Sequence, residues 1–207
     1  MAATETQHVR SPLARIAIDL AVLIVAIVVI TTLLRTLVAQ AFYIPSLSMS
    51  PQLEVQDRIV VSKLSYRLHE ARRGDVVVFD APPELEGPKD PDALALRAIR
   101  AVLEGVNVVK PKTTEYVKRI VGLPGEQVSG KGGSLYVDGT LLVEPYLPAG
   151  LRTDDFAPVT VPPGKLFVMG DNRGSSFDSR RFGPIDRSSV VGRAVVKVWP
   201  LGGACWL

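Results

Sequence analysis

Three serines stand between two prolines in Ile44-Pro45-Ser46-Leu47-Ser48-Met49-Ser50-Pro51. A serine hydroxyl is a weak nucleophile until a base takes its proton, so this segment does chemistry only if a base is brought to it. Lys118, in Tyr116-Val117-Lys118-Arg119-Ile120-Val121, is a candidate for that base. In a strand of period two it shares its face with Tyr116 and Ile120, and its neighbours Val117 and Val121 are apolar as well. A lysine desolvated in such a place has a lowered pKa and works as a neutral general base. A third polar segment, Gly170-Asp171-Asn172-Arg173-Gly174-Ser175-Ser176-Phe177-Asp178-Ser179-Arg180, packs two Asp, two Arg and three Ser into eleven residues. That density suits a buried polar network supporting a site. Each segment also has a plain reading: a polar loop, a lysine whose amine reaches water, and a turn stapled by its own side chains.

Composition narrows the chemistry further. The chain of 207 residues has a net charge of +3, and removing the first 41 leaves 166 residues at +2. That remainder is long enough to bury a core, and its charge is too small and too scattered for nucleic acid as a partner. Hydrophobic residues make up 47%, which excludes a disordered chain. The single cysteine, Cys205, excludes an intrachain disulfide framework and a thiolate cluster, and reads as a small apolar residue. His8 and His69 are too few for a histidine metal site and give a Ser-His-Asp triad hardly any base. Gly125-x4-Gly130-Lys131 imitates a phosphate loop but is followed by Gly132 and a strand pattern, so it reads as a glycine-rich turn. No Ser-x-x-Lys occurs, which excludes the penicillin-binding type of serine site.

The elements that must hold these groups are mainly short β runs punctuated by Gly, Pro and Asp. They are 58–63, 75–79, 116–121, 166–169 and 190–199, together with a hairpin 135–143 turning on Asp138-Gly139. The domain 42–207 is therefore expected to be mainly antiparallel β. One stretch departs from this pattern: 84–112 reads as an insertion, a loop followed by a short helix from Asp92 to Glu104, capped by Asp92 and peripheral to the chemistry.

The apolar excess lies at the N-terminus. Leu20 to Leu34 is uncharged, and the apolar character extends over 16–38. Twenty-three residues at helical rise cross a bilayer core of about 30 Å with some tilt. A cleavable leader ending at Ala39-Gln40-Ala41 uses the same physics. With Arg10 and Arg15 on the short flank, both readings place residues 1–15 in the cytoplasm and the β-domain outside it. From the residues alone the two readings stand level; an anchor is expected if Phe42, Ile44 and Pro45 wall a cleft, because they cannot also be threaded through it as substrate.

Taken together, a membrane segment followed in order by PSLSMSPQL at 45–53, GDVVVF at 74–79, YVKRIVGLPGE at 116–126 and GDNRGSSFDSR at 170–180 resembles the type I signal peptidases. These are membrane-anchored serine endopeptidases with a Ser–Lys dyad. The resemblance implies a single-pass enzyme with a β-sheet catalytic domain on the extracytoplasmic face, cutting signal peptides from exported preproteins after Ala-x-Ala-like sites. It implies Ser48 as nucleophile and Lys118 as general base, with Ser46 and the Ser48 N–H receiving the oxyanion. Ser176 would orient the Lys118 amine, and Asp178 with Arg180 would form an ion pair that shapes the last box. Phe42, Ile44, Pro45, Leu53, Tyr116 and Val117 would line shallow apolar pockets. The partners implied are signal peptides and the lipid bilayer, with no metal or organic cofactor, and a monomer is expected.

Two departures bear on detail. The family usually has a small residue where this chain has Leu47, and commonly an acid where it has Gly174. A self-cleaving Ser–Lys protease of the repressor type shares the chemistry, but the membrane segment argues against it. A membrane-anchored β-domain that binds secreted proteins without cutting them would require Ser48, Lys118 and Ser176 to be incidental.

Overall fold

The computed structural model describes residues 12–82 and 115–207. The 84–112 insertion, with its expected helix, falls outside the described residues. The chain opens with a 26-residue helix, α1 (Pro12–Leu37). Proline suits a first helical position, where its missing N–H has no partner to lose. The helix covers most of the 16–38 segment read as a span, starting four residues earlier. Val22, Leu23, Ile24 and Val25, which together face every side of it, are 62%, 56%, 53% and 61% exposed. Within α1 the described side chains run unbroken from Ile18 to Thr32, and among the described residues no helix is long and apolar enough to cross a membrane.

Directly after α1 the chain enters β1 (Ala39–Tyr43), which pairs antiparallel with β2 (Arg58–Ser62). Between them the serine segment makes a single 3₁₀ turn, Leu47–Met49. A short helix, α2 (Ser65–Leu68), leads on to β3 (Val76–Asp80). Then come β4 (Glu115–Gly122), β5 (Gln127–Lys131), β6 (Ser134–Val137) and β7 (Thr140–Leu141). The chain continues through β8 (Phe156–Thr160), β9 (Lys165–Met169), a short helix α3 (Ser179–Phe182) and β10 (Ile185–Asp186). It finishes with β11 (Val190–Trp199) and β12 (Cys205–Trp206). The large sheet runs β1-β2-β11-β3-β4-β9-β10, with β12 added to β11, and the small sheet runs β7-β6-β5-β8. Every ladder is antiparallel.

The mainly antiparallel β-domain expected from the sequence is present, and the sheet is divided into two. The hairpin turn falls where Asp-Gly predicts: Asp138 and Gly139 have φ of +48° and +75°, the pair of positive values a two-residue hairpin turn requires. The phosphate-loop imitation is mostly strand and not the turn expected: Gly130 and Lys131 end β5, and the positive-φ Gly132 and Gly133 make the turn that leads to β6.

Three apolar clusters fix the sheets. Ile44, Met49, Leu53, Ile59, Val61, Val76, Val78 and Ala194 pack together with Val117 and Phe42. Val77, Phe79, Ile120, Leu166, Val168 and Ile185 form a second cluster. Val121, Val128, Leu135, Val161, Phe167 and Met169 form a third, which joins the small sheet to the large one. Two features of register matter for the site. β1 lies at an edge of the large sheet. β4 pairs with β3 over residues 115–119 but with β9 only from Arg119 onward, so among the described residues 116–118 pair with a strand on one side.

Candidate active site

The 3₁₀ turn carries Ser48 to the mouth of a cleft of about 380 Å³ between β1 and the first half of β4. Across it, the Lys118 Nζ donates to Ser48 Oγ at 2.6 Å and to the Val117 carbonyl at 3.0 Å. Lys118 is 3% exposed. Burial lowers its amine from the ordinary lysine range to about 8, against the pull of Asp178 and Asp171, whose negative charges favour the charged form. Its Nζ lies 5.7 Å from the centroid of the Tyr116 ring, as the shared strand face predicted. Ser46 Oγ is 3.3 Å from Ser48 Oγ, and the Ser46 side chain does not cap the turn.

Phe42, Ile44, Pro45, Tyr116 and Val117 line the cleft, together with Met49 and Val78. Leu53 does not. It is fully buried in the first apolar cluster, where it supports the turn from below. Leu47 is 57% exposed and points away from the lining, so the larger side chain in the serine box does not fill the cleft. The Ala39-Gln40-Ala41 stretch lies in β1, with Ala41 paired to Val60 of β2.

The 170–180 segment is a buried network, and it grips the turn. Asp178 is fully buried and holds Arg180 through two contacts of 2.9 Å, while accepting from the Gly170 N–H at 3.0 Å. Burial alone would raise its carboxyl, but the Arg180 guanidinium and the Gly170 N–H prevail and hold it low. Ser176 is buried among these groups, and its hydroxyl helps Arg180 and the Gly170 N–H to hold the Asp178 carboxyl low. Among the described residues no hydrogen bond joins it to the Lys118 amine. The Lys118 amine is held by Ser48 and Val117 instead. A Cβ built on Gly174 meets nothing within 4 Å, so the position of the missing acid is open space and not part of this packing.

Sequence reasoning missed several groups that hold the site. Arg119, next to the lysine, donates to Asp171 from Nε at 2.9 Å and from Nη2 at 2.6 Å, to the Gly74 carbonyl at 2.7 Å, and to Gln52. Arg173 bonds Glu144 and Thr153, so the 140–153 stretch is tied to the same network. Tyr146 lies over the Arg119 guanidinium at 4.0 Å and donates to Glu144 at 2.6 Å. Asn172 donates from its backbone N–H to the Ser48 carbonyl and from Nδ2 to the Leu47 carbonyl, both at 3.1 Å. Arg119, Asp171, Asn172 and Arg173 stood inside the quoted boxes without roles. Glu144, Tyr146 and Thr153 carried no local signal. Among the described residues no group of acids, histidines or cysteines is placed to hold a metal.

A nucleophile, a buried base of lowered pKa and an apolar cleft are the parts of an acyl-transfer site. Comparison with known proteins agrees. The profile of the family described as "Signal peptidase, peptidase S26" matches residues 17–199. A probable signal peptidase I-2 of Synechocystis is 36% identical, with 89% of this chain and 74% of that protein covered. Signal peptidase I of Mycobacterium tuberculosis is 38% identical over 88% of this chain and 72% of its own length. Signal peptidase I of Bacillus caldolyticus is 35% identical over 85% and 87%. A solved signal peptidase I from Enterococcus faecalis is 28% identical, covering 61% of this chain and 98% of that one, with a TM-score of 0.43.

Proposed function

We propose, from the premise that this chain belongs to the signal peptidase family, peptidase S26, that it removes N-terminal signal peptides from exported preproteins by a Ser48–Lys118 mechanism. It is a serine endopeptidase and a hydrolase. The observation that carries the mechanism is the 2.6 Å contact between the Lys118 Nζ and Ser48 Oγ at the edge of the cleft.

In the reaction, the neutral Lys118 amine takes the Ser48 Oγ proton as the oxygen attacks the scissile carbonyl carbon. The resulting oxyanion is received by the Ser48 N–H and the Ser46 hydroxyl. Collapse of the tetrahedral centre breaks the C–N bond, and Lys118 returns the proton to the departing amine of the mature protein. The signal peptide is then an ester on Ser48. Water gives a proton to Lys118 as its oxygen attacks that ester; the C–Oγ bond then breaks, Lys118 returns the proton to Ser48 Oγ, and the signal peptide leaves with a new carboxyl group. The substrate lies extended between β1 and the first half of β4. Phe42, Ile44, Val78 and Val117 leave shallow apolar space suited to the small side chains of an Ala-x-Ala site. Asp178 with Arg180 and Ser176 shape the floor beneath the dyad.

The helix α1 is the permanent membrane anchor, with residues 1–15 in the cytoplasm, 16–38 in the bilayer and 42–207 on the extracytoplasmic face. Support comes from its apolar side chains, exposed on every side of the helix between Ile18 and Ile30. The paired position of Ala39–Ala41 in β1 supports retention, since cutting there would require unzipping an edge strand. The groups assigned to the reaction all come from one chain, which suits an enzyme acting as a monomer at the lipid surface.

The test is to incubate the purified protein with a preprotein and sequence the products. A new N-terminus following an Ala-x-Ala site is expected. A protein that only binds secreted chains gives no new N-terminus.

A further inference from the structure

We propose that Asn172 is a positioning residue that sets the oxyanion site by holding both peptide planes beside Ser48. The inference rests on the Ser48–Lys118 reading above. The Asn172 backbone N–H donates to the Ser48 carbonyl at 3.1 Å, and its Nδ2 donates to the Leu47 carbonyl at 3.1 Å. Those two carbonyls belong to the peptide units on either side of the Ser48 Cα. Facing a carbonyl oxygen, only the nitrogen end of the Asn172 amide makes a bond.

The Leu47 carbonyl and the Ser48 N–H are opposite ends of one planar trans peptide, so they point in opposite directions. Holding that carbonyl toward Asn172 aims the Ser48 N–H away from it. The Leu47 carbonyl also accepts from the Ser50 N–H at 3.0 Å, which leaves the plane little freedom to rotate. The Ser46 side chain does not cap the turn and so does not compete with a substrate oxygen.

The residue that does the holding is itself rigid. Asn172 stands between Asp171 and Arg173, 0% and 2% exposed, which are fixed by Arg119 and by Glu144 with Thr153. The chain there lies so close to the turn that a Cβ on Gly170 would come within 2.4 Å of the Ser48 carbonyl oxygen. Rotation of the 47–48 peptide would move the N–H while leaving the lysine contact, made by Oγ, in place. The cost of losing the amide therefore falls on the transition state, where the oxyanion exists, and not on substrate binding.

The experiment compares wild type, Ser48→Ala, Asn172→Ala and the isosteric Asn172→Asp, each checked for its melting temperature. Kinetics are measured on an Ala-x-Ala peptide, and binding is measured for a peptide boronate, whose tetrahedral adduct carries the oxyanion, and for the product peptide. Asn172→Ala should lower kcat by about 10- to 100-fold, less than the full loss of a donor. KM and product-peptide affinity should change by less than about twofold, boronate affinity should fall in step with kcat, and the acidic limb of the pH profile should keep its position. If Asn172→Ala does not fold, Asn172→Asp, which keeps the shape and removes the donor, must show the same split. Unchanged kcat in a folded variant, or equal losses for boronate and product peptide, overturns the proposal. Wild type that fails to cleave, or Ser48→Ala that cleaves normally, overturns the dyad reading and this proposal with it. Loss in Ser48→Ala beside full activity in the Asn172 variants overturns this proposal alone.

Discussion

The Lys118 Nζ and the Ser48 Oγ meet at 2.6 Å across seventy residues of chain, and burial lowers the lysine to about 8. The deprotonated amine is the active form, so its fraction rises with pH through that value and falls below it. We predict that kcat/KM drops about tenfold per pH unit on the acidic side of pH 8, the limb of a single essential base. The limb should survive replacement of both His8 and His69. A flat profile from about pH 5 to 9 would count against a titrating lysine.

Ser46 Oγ stands 3.3 Å from the nucleophile at an exposed position. Ser46→Ala should lower kcat by roughly 10²–10³-fold with little change in KM, as the loss of one oxyanion donor does. Steady-state kinetics on a peptide substrate decide this. A rise in KM at constant kcat would instead assign Ser46 to substrate binding.

Gly170 and Gly174 should respond in opposite ways to the same substitution. A Cβ on Gly170 would come within 2.2 Å of Ser176 Oγ and 2.4 Å of the Ser48 carbonyl oxygen, the latter a backbone atom that cannot step aside cheaply. Gly170→Ala should cost about 1–3 kcal/mol of stability through overpacking, and it should reduce turnover by displacing Ser48. Gly174→Ala, with nothing within 4 Å, should leave both nearly unchanged. Urea unfolding and turnover measured on the two variants give the comparison, and equal responses would show that the close approach is not structural.

Asp171 and Arg119 form an ion pair whose side chains are 1% and 4% exposed. Asp171→Asn removes one charge and leaves the other buried, which costs about 3–5 kcal/mol. The urea midpoint should fall accordingly, and an unchanged midpoint would mean that Gln52 and the Gly74 carbonyl suffice to hold Arg119.

Much of this arrangement is legible in the residues, and the failures have physical causes. Short β-type runs punctuated by Gly, Pro and Asp marked β2, β3, β4, β9 and β11, and Asp138-Gly139 marked its hairpin, because run composition and turn chemistry are local properties. β1 went unread as a strand: Ala39–Tyr43 is short and half-buried at a sheet edge, and its small residues resemble a cleavage site. The small sheet was seen only in its β6–β7 hairpin, since the β8 strand, Phe156–Thr160, alternates poorly and contains Pro158. Leu53 was assigned to the cleft wall by its nearness to Ser48 along the chain. It turned inward because the turn needed apolar support beneath it. The partners of Arg119 and Arg173 could not be read at all, since ion pairs spanning 52 and 29 residues leave no trace in local pattern.

The central claim is that Lys118 is the base for Ser48, and the rate of peptide cleavage by Lys118→Ala, beside wild type at pH 8 to 9, tests it most directly. The side chain is nearly buried and makes no ion pair among the described residues, so the variant should keep its circular dichroism spectrum and a cooperative unfolding transition. Turnover in that folded protein should fall to the level of Ser48→Ala, with no cleaved peptide above the uncatalysed background. Cleavage at the wild-type rate in Lys118→Ala would contradict the account and require another group to take the serine proton.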